Sequence, residues 1–205
     1  MYRYTLLFSS FALILVLAGC GQSPSNTKAQ AAIAEFEAVE ARAKHGDAGA
    51  MHDLAVLYEI GEGVAQNTDN AIEWYTKAAD EGVQSSALNL GIVYHLGELV
   101  ERDGSAAAEW FKRAAELGNT QGMLNLGVAY AMGDGVEQDY REAMRWYKQA
   151  AEQDDIYAMY NIGWMYANGE GVEIDKDEAA EWMRRSARLG YSPAQDWLAE
   201  QGLDW

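Results

Sequence analysis

The side chains best suited to catalysis or metal binding are few and sit close together. His45, Asp47, His52 and Asp53 offer two imidazoles and two carboxylates in one short stretch. Ligands on a helix need i, i+4 spacing to share a face, and these residues do not keep it. They span the junction between two predicted helices, where they read as ordinary surface histidines. The run Asp175-Lys176-Asp177-Glu178 has acids of the calcium-loop type but lacks the glycine and terminal glutamate of an EF-hand. No Ser–His–Asp order, nucleophile elbow or phosphate-cradling glycine loop is present, and the Gly-x-Gly-Val runs follow no strand. Paired carboxylates are too plentiful in so acidic a chain to mark a site. The sequence therefore predicts no catalytic residue, no metal site and no cofactor, and the protein is expected not to be an enzyme.

What positions the remaining side chains is a period of 36 residues. Trp74, Trp110, Trp146 and Trp182 keep it, as do Tyr58, Tyr94, Tyr130 and Tyr166. Gly61, Gly97, Gly133 and Gly169 follow the same register, and so do Val64, Val100, Val136 and Val172 and Ala79, Ala115, Ala151 and Ala187. Repeats of this length are single supersecondary units that bury their apolar faces by stacking. Each unit reads as two helices. Met123, Leu126, Gly127 and Tyr130 lie on one face of the first, and Ala143, Trp146, Tyr147, Ala150 and Ala151 on one face of the second. Gly127, matched by Gly91, Gly163 and Ala55, marks a point of close helix approach that offsets glycine's cost of about 1 kcal/mol.

Between the helices, Gly133 ends the first and Asp139 begins the second, with Glu142 completing a capping box. Asp175 and Glu178 repeat that box, while Asn67 and Asp103 cap without the acidic partner. Leu99 stands where the other loops have Gly63, Gly135 and Gly171. A leucine is strained at φ > 0, so the second loop is expected to be shaped differently.

The run Gly118 to Gln153, with Leu126-Gly127, Tyr130, Gly133-Asp134-Gly135-Val136, Asp139, Ala143, Trp146-Tyr147 and Ala150-Ala151-Glu152, resembles the Sel1-like repeat, a relative of the tetratricopeptide repeat. The match covers four full repeats over 46–189, and 190–205 form a partial fifth repeat and C-terminal cap. The resemblance implies an all-α fold, an α/α solenoid in a right-handed superhelix whose concave side is lined by the first helices. Residues 31–45 align with a second helix that has lost its tryptophan, and are expected to cap the N-terminus. Trp197, Leu198, Leu203 and Trp205 are expected to close the last apolar face. Some cysteine-rich members of this repeat family are linked to β-lactam binding. Their paired cysteines are absent here, so that activity is not carried over.

Residues 1–19 are of another kind. Arg3 is their only charge, followed by a largely apolar run from Leu6 to Leu17, the length of a signal-peptide core. The run ends in Leu17-Ala18-Gly19-Cys20, which resembles a bacterial lipobox, and Cys20 is the only cysteine of the chain. That resemblance implies lipidation at Cys20 and attachment to a membrane, with 20–30 as a polar tether. Gly21, where an aspartate would resemble an inner-membrane retention signal, favours the periplasmic face of the outer membrane. The chain has 15 basic and 32 acidic side chains, net −17; losing Arg3 with the signal leaves 14 against 32, net −18. Such a surface disfavours nucleic acid and fits solubility or a basic partner.

The expected groove holds three columns: His52, Leu88, Leu124 and Tyr160; Val56, Ile92, Val128 and Trp164; Asp53, Asn89, Asn125 and Asn161. Aromatic residues gather in the fourth repeat, where Tyr157 adds a ring. Exposed rings anchor peptides or sugar faces, and asparagine amides both donate and accept along a peptide backbone. Tyr157, Tyr160, Trp164, Asn89, Asn125, Asn161 and His95 form the candidate partner-binding set. The tryptophan column is expected to be packing. The leading expectation is an envelope scaffold for protein or peptide partners; a carbohydrate or cell-wall binding module is the alternative.

Overall fold

Glycine-terminated apolar stripes cut the chain into helical hairpins, each with a short loop inside it. The computed structural model describes residues 24–205; the expected signal segment and Cys20 lie outside the described residues. Among those residues there are ten helices and no strand: α1 (Pro24–Lys44), α2 (Ala48–Ile60), α3 (Thr68–Asp80), α4 (Gln84–Leu96), α5 (Gly104–Glu116), α6 (Thr120–Met132), α7 (Tyr140–Ala151), α8 (Ile156–Asn168), α9 (Lys176–Arg188) and α10 (Ser192–Glu200). Even-numbered helices α2 to α8 are the first helices of the four hairpins, and α3 to α9 the second. Each packs on its chain neighbours, which is a solenoid.

The first-helix midpoint is a notch for a ring. A Cβ on Gly127 would stand 2.5 Å from Tyr147 Cε1, and one on Gly91 would stand 2.4 Å from Phe111 Cδ1. The expected close approach is thus a side chain of the second helix seated on the first helix's backbone. In the first repeat Ala55 and Tyr75 fill the same place and are 0% and 1% exposed.

The hairpin loop is closed by one backbone hydrogen bond per repeat. The N–H groups of Asn67, Asp103, Asp139 and Asp175 donate to the carbonyls of Tyr58, Tyr94, Tyr130 and Tyr166 at 2.9, 3.0, 2.9 and 3.0 Å. The same four side chains accept from the first turn of the second helix, as expected of N-caps. The reciprocal half of the capping box is absent, because the cap N–H is already bonded to the tyrosine carbonyl. Glu142 instead receives Arg145 at 2.7 Å.

Neighbouring hairpins meet at the Gly63, Gly135 and Gly171 column. All three have φ between 71° and 76°. A Cβ on Gly135 would lie 1.9 Å from Gly104 O, and one on Gly63 would lie 2.2 Å from Ala32 O. Leu99 is not in the left-handed region, so the second loop does take another shape. The turn that links one hairpin to the next carries Gly46, Gly82, Gly118 and Gly190 at φ 88° to 95°, and Asp154 at φ 60°. Asp154 is the only described non-glycine residue with positive φ.

The tryptophan column packs between hairpins. Trp146 is 6% exposed and belongs to the central core, whereas Trp74, Trp110 and Trp182 are half-buried. Their outer faces carry cations: Lys77 over Trp74 at 4.1 Å, Arg145 over Trp146 at 4.6 Å and Arg185 over Trp182 at 4.3 Å. Trp146 Nε1 is buried without a hydrogen-bond partner.

The ends depart from expectation in two places. Helix α1 spans Pro24–Lys44, so residues 24–30 are helical where a tether was expected. Lys28, Ala29 and Gln30 are good helix formers. The later part of α1 caps the stack through Phe36, Val39 and buried Ala43. At the other end Leu198 is buried and Trp197 and Leu203 pack beside it, but Trp205 is 58% exposed and closes nothing.

Two substitutions read this geometry. Asp154→Gly removes a left-handed penalty of about 1 kcal/mol and is expected to raise the thermal midpoint by roughly 2–4 °C. Gly118→Ala, with open space around its Cβ, is expected to cost about 1–2 kcal/mol. Gly135→Ala must also move the Gly104 backbone and is expected to cost at least twice as much as Gly118→Ala by urea unfolding.

Candidate partner-binding surface

The first helices carry one stripe at i, i+4, i+8 that runs from enclosed to exposed. It contains the first two expected columns and a third that sequence reasoning missed: Ile60, Leu96, Met132 and Asn168. Ile60 is 52%, Leu96 55% and Met132 74% exposed. These residues end their helices, beside the capping glycine, and their 36-residue spacing was the available signal. The expected columns are more enclosed. Leu124 is 7% exposed and His52, Leu88, Val56, Ile92 and Val128 are half-buried.

The asparagine column is not uniform. Asn89 donates to Tyr75 Oη at 3.1 Å, and Tyr75 donates to Glu59 Oε2 at 2.5 Å. Asn125 accepts from Gln121 Nε2 at 3.0 Å. Asn161 makes no such side-chain bond and is half-buried. Burial, together with the Glu59 charge, pushes the Tyr75 hydroxyl well above its ordinary range, so it stays a donor.

The fourth-repeat aromatic residues come together, but with different exposures. Tyr160 stacks on Trp164 at 6.3 Å and meets Tyr191 edge-on at 5.2 Å. Tyr157 meets Tyr191 edge-on at 5.1 Å. Tyr160 packs against the C-terminal core, while Tyr157 and Trp164 are 42% and 43% exposed. Tyr191, which joins the cluster from the start of α10, was missed because it lies past residue 189, where the last full repeat was expected to end.

Two clefts open along these helices. The first, about 800 Å³, lies between α4, α5 and α6 and is lined by Ile92, Leu96, Phe111, Val128 and Met132, with Glu59, Glu98, Gln121, Asn125, His95 and Asp134 as its polar members. Arg102 holds both oxygens of Asp134 at 2.7 and 2.6 Å, and His95 Nδ1 lies 3.4 Å from the same carboxylate. The second, about 720 Å³, lies between α8, α9 and α10 and includes Trp164, Asn168, Glu181 and Trp197. Among the described residues no group of three His, Cys, Asp or Glu is placed to hold a metal ion. No helix among them is long and apolar enough to cross a membrane.

A Sel1 repeat model matches residues 48–83, 84–119, 120–155 and 156–191, two residues later than the boundaries read from the glycines. A protective antigen present in uropathogenic Escherichia coli strains, displaying an SLR fold, is 40% identical with a TM-score of 0.75. The alignment covers 79% of this chain but 35% of the antigen, so the chain spans about a third of its length. A Sel1 repeat protein from Oxalobacter formigenes is 28% identical, with 82% and 69% of the two chains covered and a TM-score of 0.70. Helicobacter pylori cysteine rich protein B shares the fold at 24% identity, 65% and 96% coverage and a TM-score of 0.51. No curated protein matches the chain.

The histidine at the head of the first column is the one titratable group of the stripe whose burial sets its protonation. His52 Nδ1 lies 2.8 Å from Ser86 Oγ, and burial lowers its pKa, opposed in part by Asp53 and Glu59. The unfolded chain takes up this proton near pH ~6.5. Folding stability contributed by neutral His52 is therefore complete above that pH and is lost as pH falls toward the lower folded value. His52→Asn is expected to flatten the fall in thermal midpoint between pH 7 and 5 relative to the wild type. Equal slopes for the two proteins would contradict this.

Proposed function

The chain belongs to the Sel1 repeat family, and we propose that it is a lipid-anchored envelope scaffold that recruits protein partners along the exposed stripe of its first helices. Repeats of this family generally serve protein–protein interaction. The observation that carries the reading is the column Ile60, Leu96 and Met132. Three large apolar side chains at one position of successive repeats stand more than half exposed, beside an apolar cleft of about 800 Å³. Apolar surface repeated in register is costly to leave in water and is what an extended protein segment covers. Cell-wall glycan is the competing ligand.

The anchor rests on the order of Arg3, the apolar core and Leu17-Ala18-Gly19-Cys20. Two or more acyl chains at Cys20 would hold the protein stably, since each buried methylene contributes about 0.8 kcal/mol. Gly21 supports the outer membrane's periplasmic face in a Gram-negative cell. The acidic surface supports a basic partner and opposes nucleic acid.

A photo-crosslinking residue at Met132 is expected to capture envelope proteins, while the same probe at Lys112, exposed on a second helix, is expected to capture little. Equal capture from both, or retention only on purified cell wall, would sink the scaffold reading. Trp164→Ala is expected to keep full helicity and reduce capture; loss of helicity would return Trp164 to the core. Cys20→Ser is expected to abolish incorporation of a palmitate analogue and release the protein from membranes.

A further inference from the structure

The two clefts are one cleft seen in different repeats. Two repeats on, Ile92 becomes Trp164, Leu96 becomes Asn168 and Asn125 becomes Trp197. The backbone setting is the same, but apolar Ile92 and polar Asn125 give way to indoles and apolar Leu96 to an amide. On the second helix, Ala106 and Glu109 of the first cleft's repeat correspond to Glu178 and Glu181. In the third repeat Glu142 is paired with Arg145 at 2.7 Å. In the fourth, those positions are Glu178 and Glu181, two carboxylates at i, i+3 that line the cleft without an ion pair. Like charges at this spacing work against the helix unless something neutralises them. Arg184, a cation in the same lining, is turned to the chain terminus, its Nε donating to Asp204 O at 3.0 Å.

We propose that the cleft between α8, α9 and α10 receives an arginine or lysine side chain of the protein partner. The indoles of Trp164 and Trp197 flank the cation, and Glu178 and Glu181 neutralise it. The proposal rests on the protein-partner reading above and adds the chemistry of one end of the ligand. The chain already uses this interaction internally: Trp74, Trp146 and Trp182 each carry a lysine or arginine on their face. Trp164 is 43% exposed and carries none. Guanidinium and ammonium groups bind indole faces, and nearby carboxylates strengthen the pull where water is excluded. The net charge of −17 complements such a ligand. A neutral saccharide would also stack on the indoles, but it has no use for two unpaired carboxylates.

The test titrates the full chain in detergent with acetyl-Arg-Ala-Arg-amide, with its citrulline isostere, and with chitotetraose, following tryptophan fluorescence. The arginine peptide is expected to give a saturable change, about tenfold tighter than the citrulline peptide and weaker as salt rises. Trp164→Ala and the double variant Glu178→Gln/Glu181→Gln are each expected to weaken it by about tenfold. The double variant removes a like-charge pair on the surface, and circular dichroism should show it at least as stable as the wild type. Equal binding of the citrulline peptide, preference for chitotetraose, unchanged affinity in the double variant, or no saturable change with any probe would overturn the assignment. Undiminished partner capture from Met132 by the double variant would overturn it too, while leaving the protein-partner reading standing.

Discussion

A ring seated on a residue with little or no side chain holds three of the four hairpins together. Phe111 on Gly91, Tyr147 on Gly127 and Tyr75 beside Ala55 set how near the second helix lies to the first. Glycine in mid-helix costs about 1 kcal/mol against alanine, whereas burying an aromatic side chain stabilises by about 1.5–3 kcal/mol, so the exchange favours the packed hairpin. In the fourth repeat Met183 takes the ring's place, with Cγ at 3.0 Å from where a Gly163 Cβ would be. A thioether adapts to an irregular gap, and this is the hairpin beside the aromatic cluster and the indole-walled cleft.

The spacing of everything else follows from that contact and from the tyrosine-carbonyl bond that closes the loop. With both in place, the last turn of each first helix always points the same way. Ile60, Leu96 and Met132 therefore emerge as a row. Neighbouring hairpins then need only a glycine at the inter-repeat touch point, where Gly135 meets the Gly104 carbonyl. Leu99 breaks the rule without breaking the array, because its loop leaves the left-handed region instead of straining within it.

Periodicity made most of the fold legible. Helix existence, the capping residues, the altered second loop and the packing role of the tryptophans all follow from columns that repeat, because four copies average out local noise. The ends were less legible for the same reason. Helix α1 has no repeat to compare with beyond its later half, and the helicity of 24–30 rests on local propensity alone. Trp205 looked like a cap because it is large and apolar, yet it stands exposed beside the core that Leu198, Trp197 and Leu203 close. The surface was read only in part. Asn89 faces the expected way but is held by Tyr75, a contact between helices that no single-helix pattern contains. The Ile60 column escaped because apolar residues at a helix end read as the finish of the buried stripe.

Repetition also explains why the cleft in the fourth repeat is informative. An array keeps its packing by holding the same residue at every equivalent place, so drift at a packing position is opposed in each copy. Positions that line a cleft and stand partly open to solvent carry less of this constraint, and a change there alters what can bind more than it alters the stack. Trp164, Trp197, Glu178 and Glu181 all line one cleft, and the ion pair that the third repeat makes at Glu142 and Arg145 is not made there. Neither change improves the fold: one exposes a large ring and the other sets like charges one helical turn apart. Features that cost the folded chain and cluster in one cleft are accounted for by what the cleft binds.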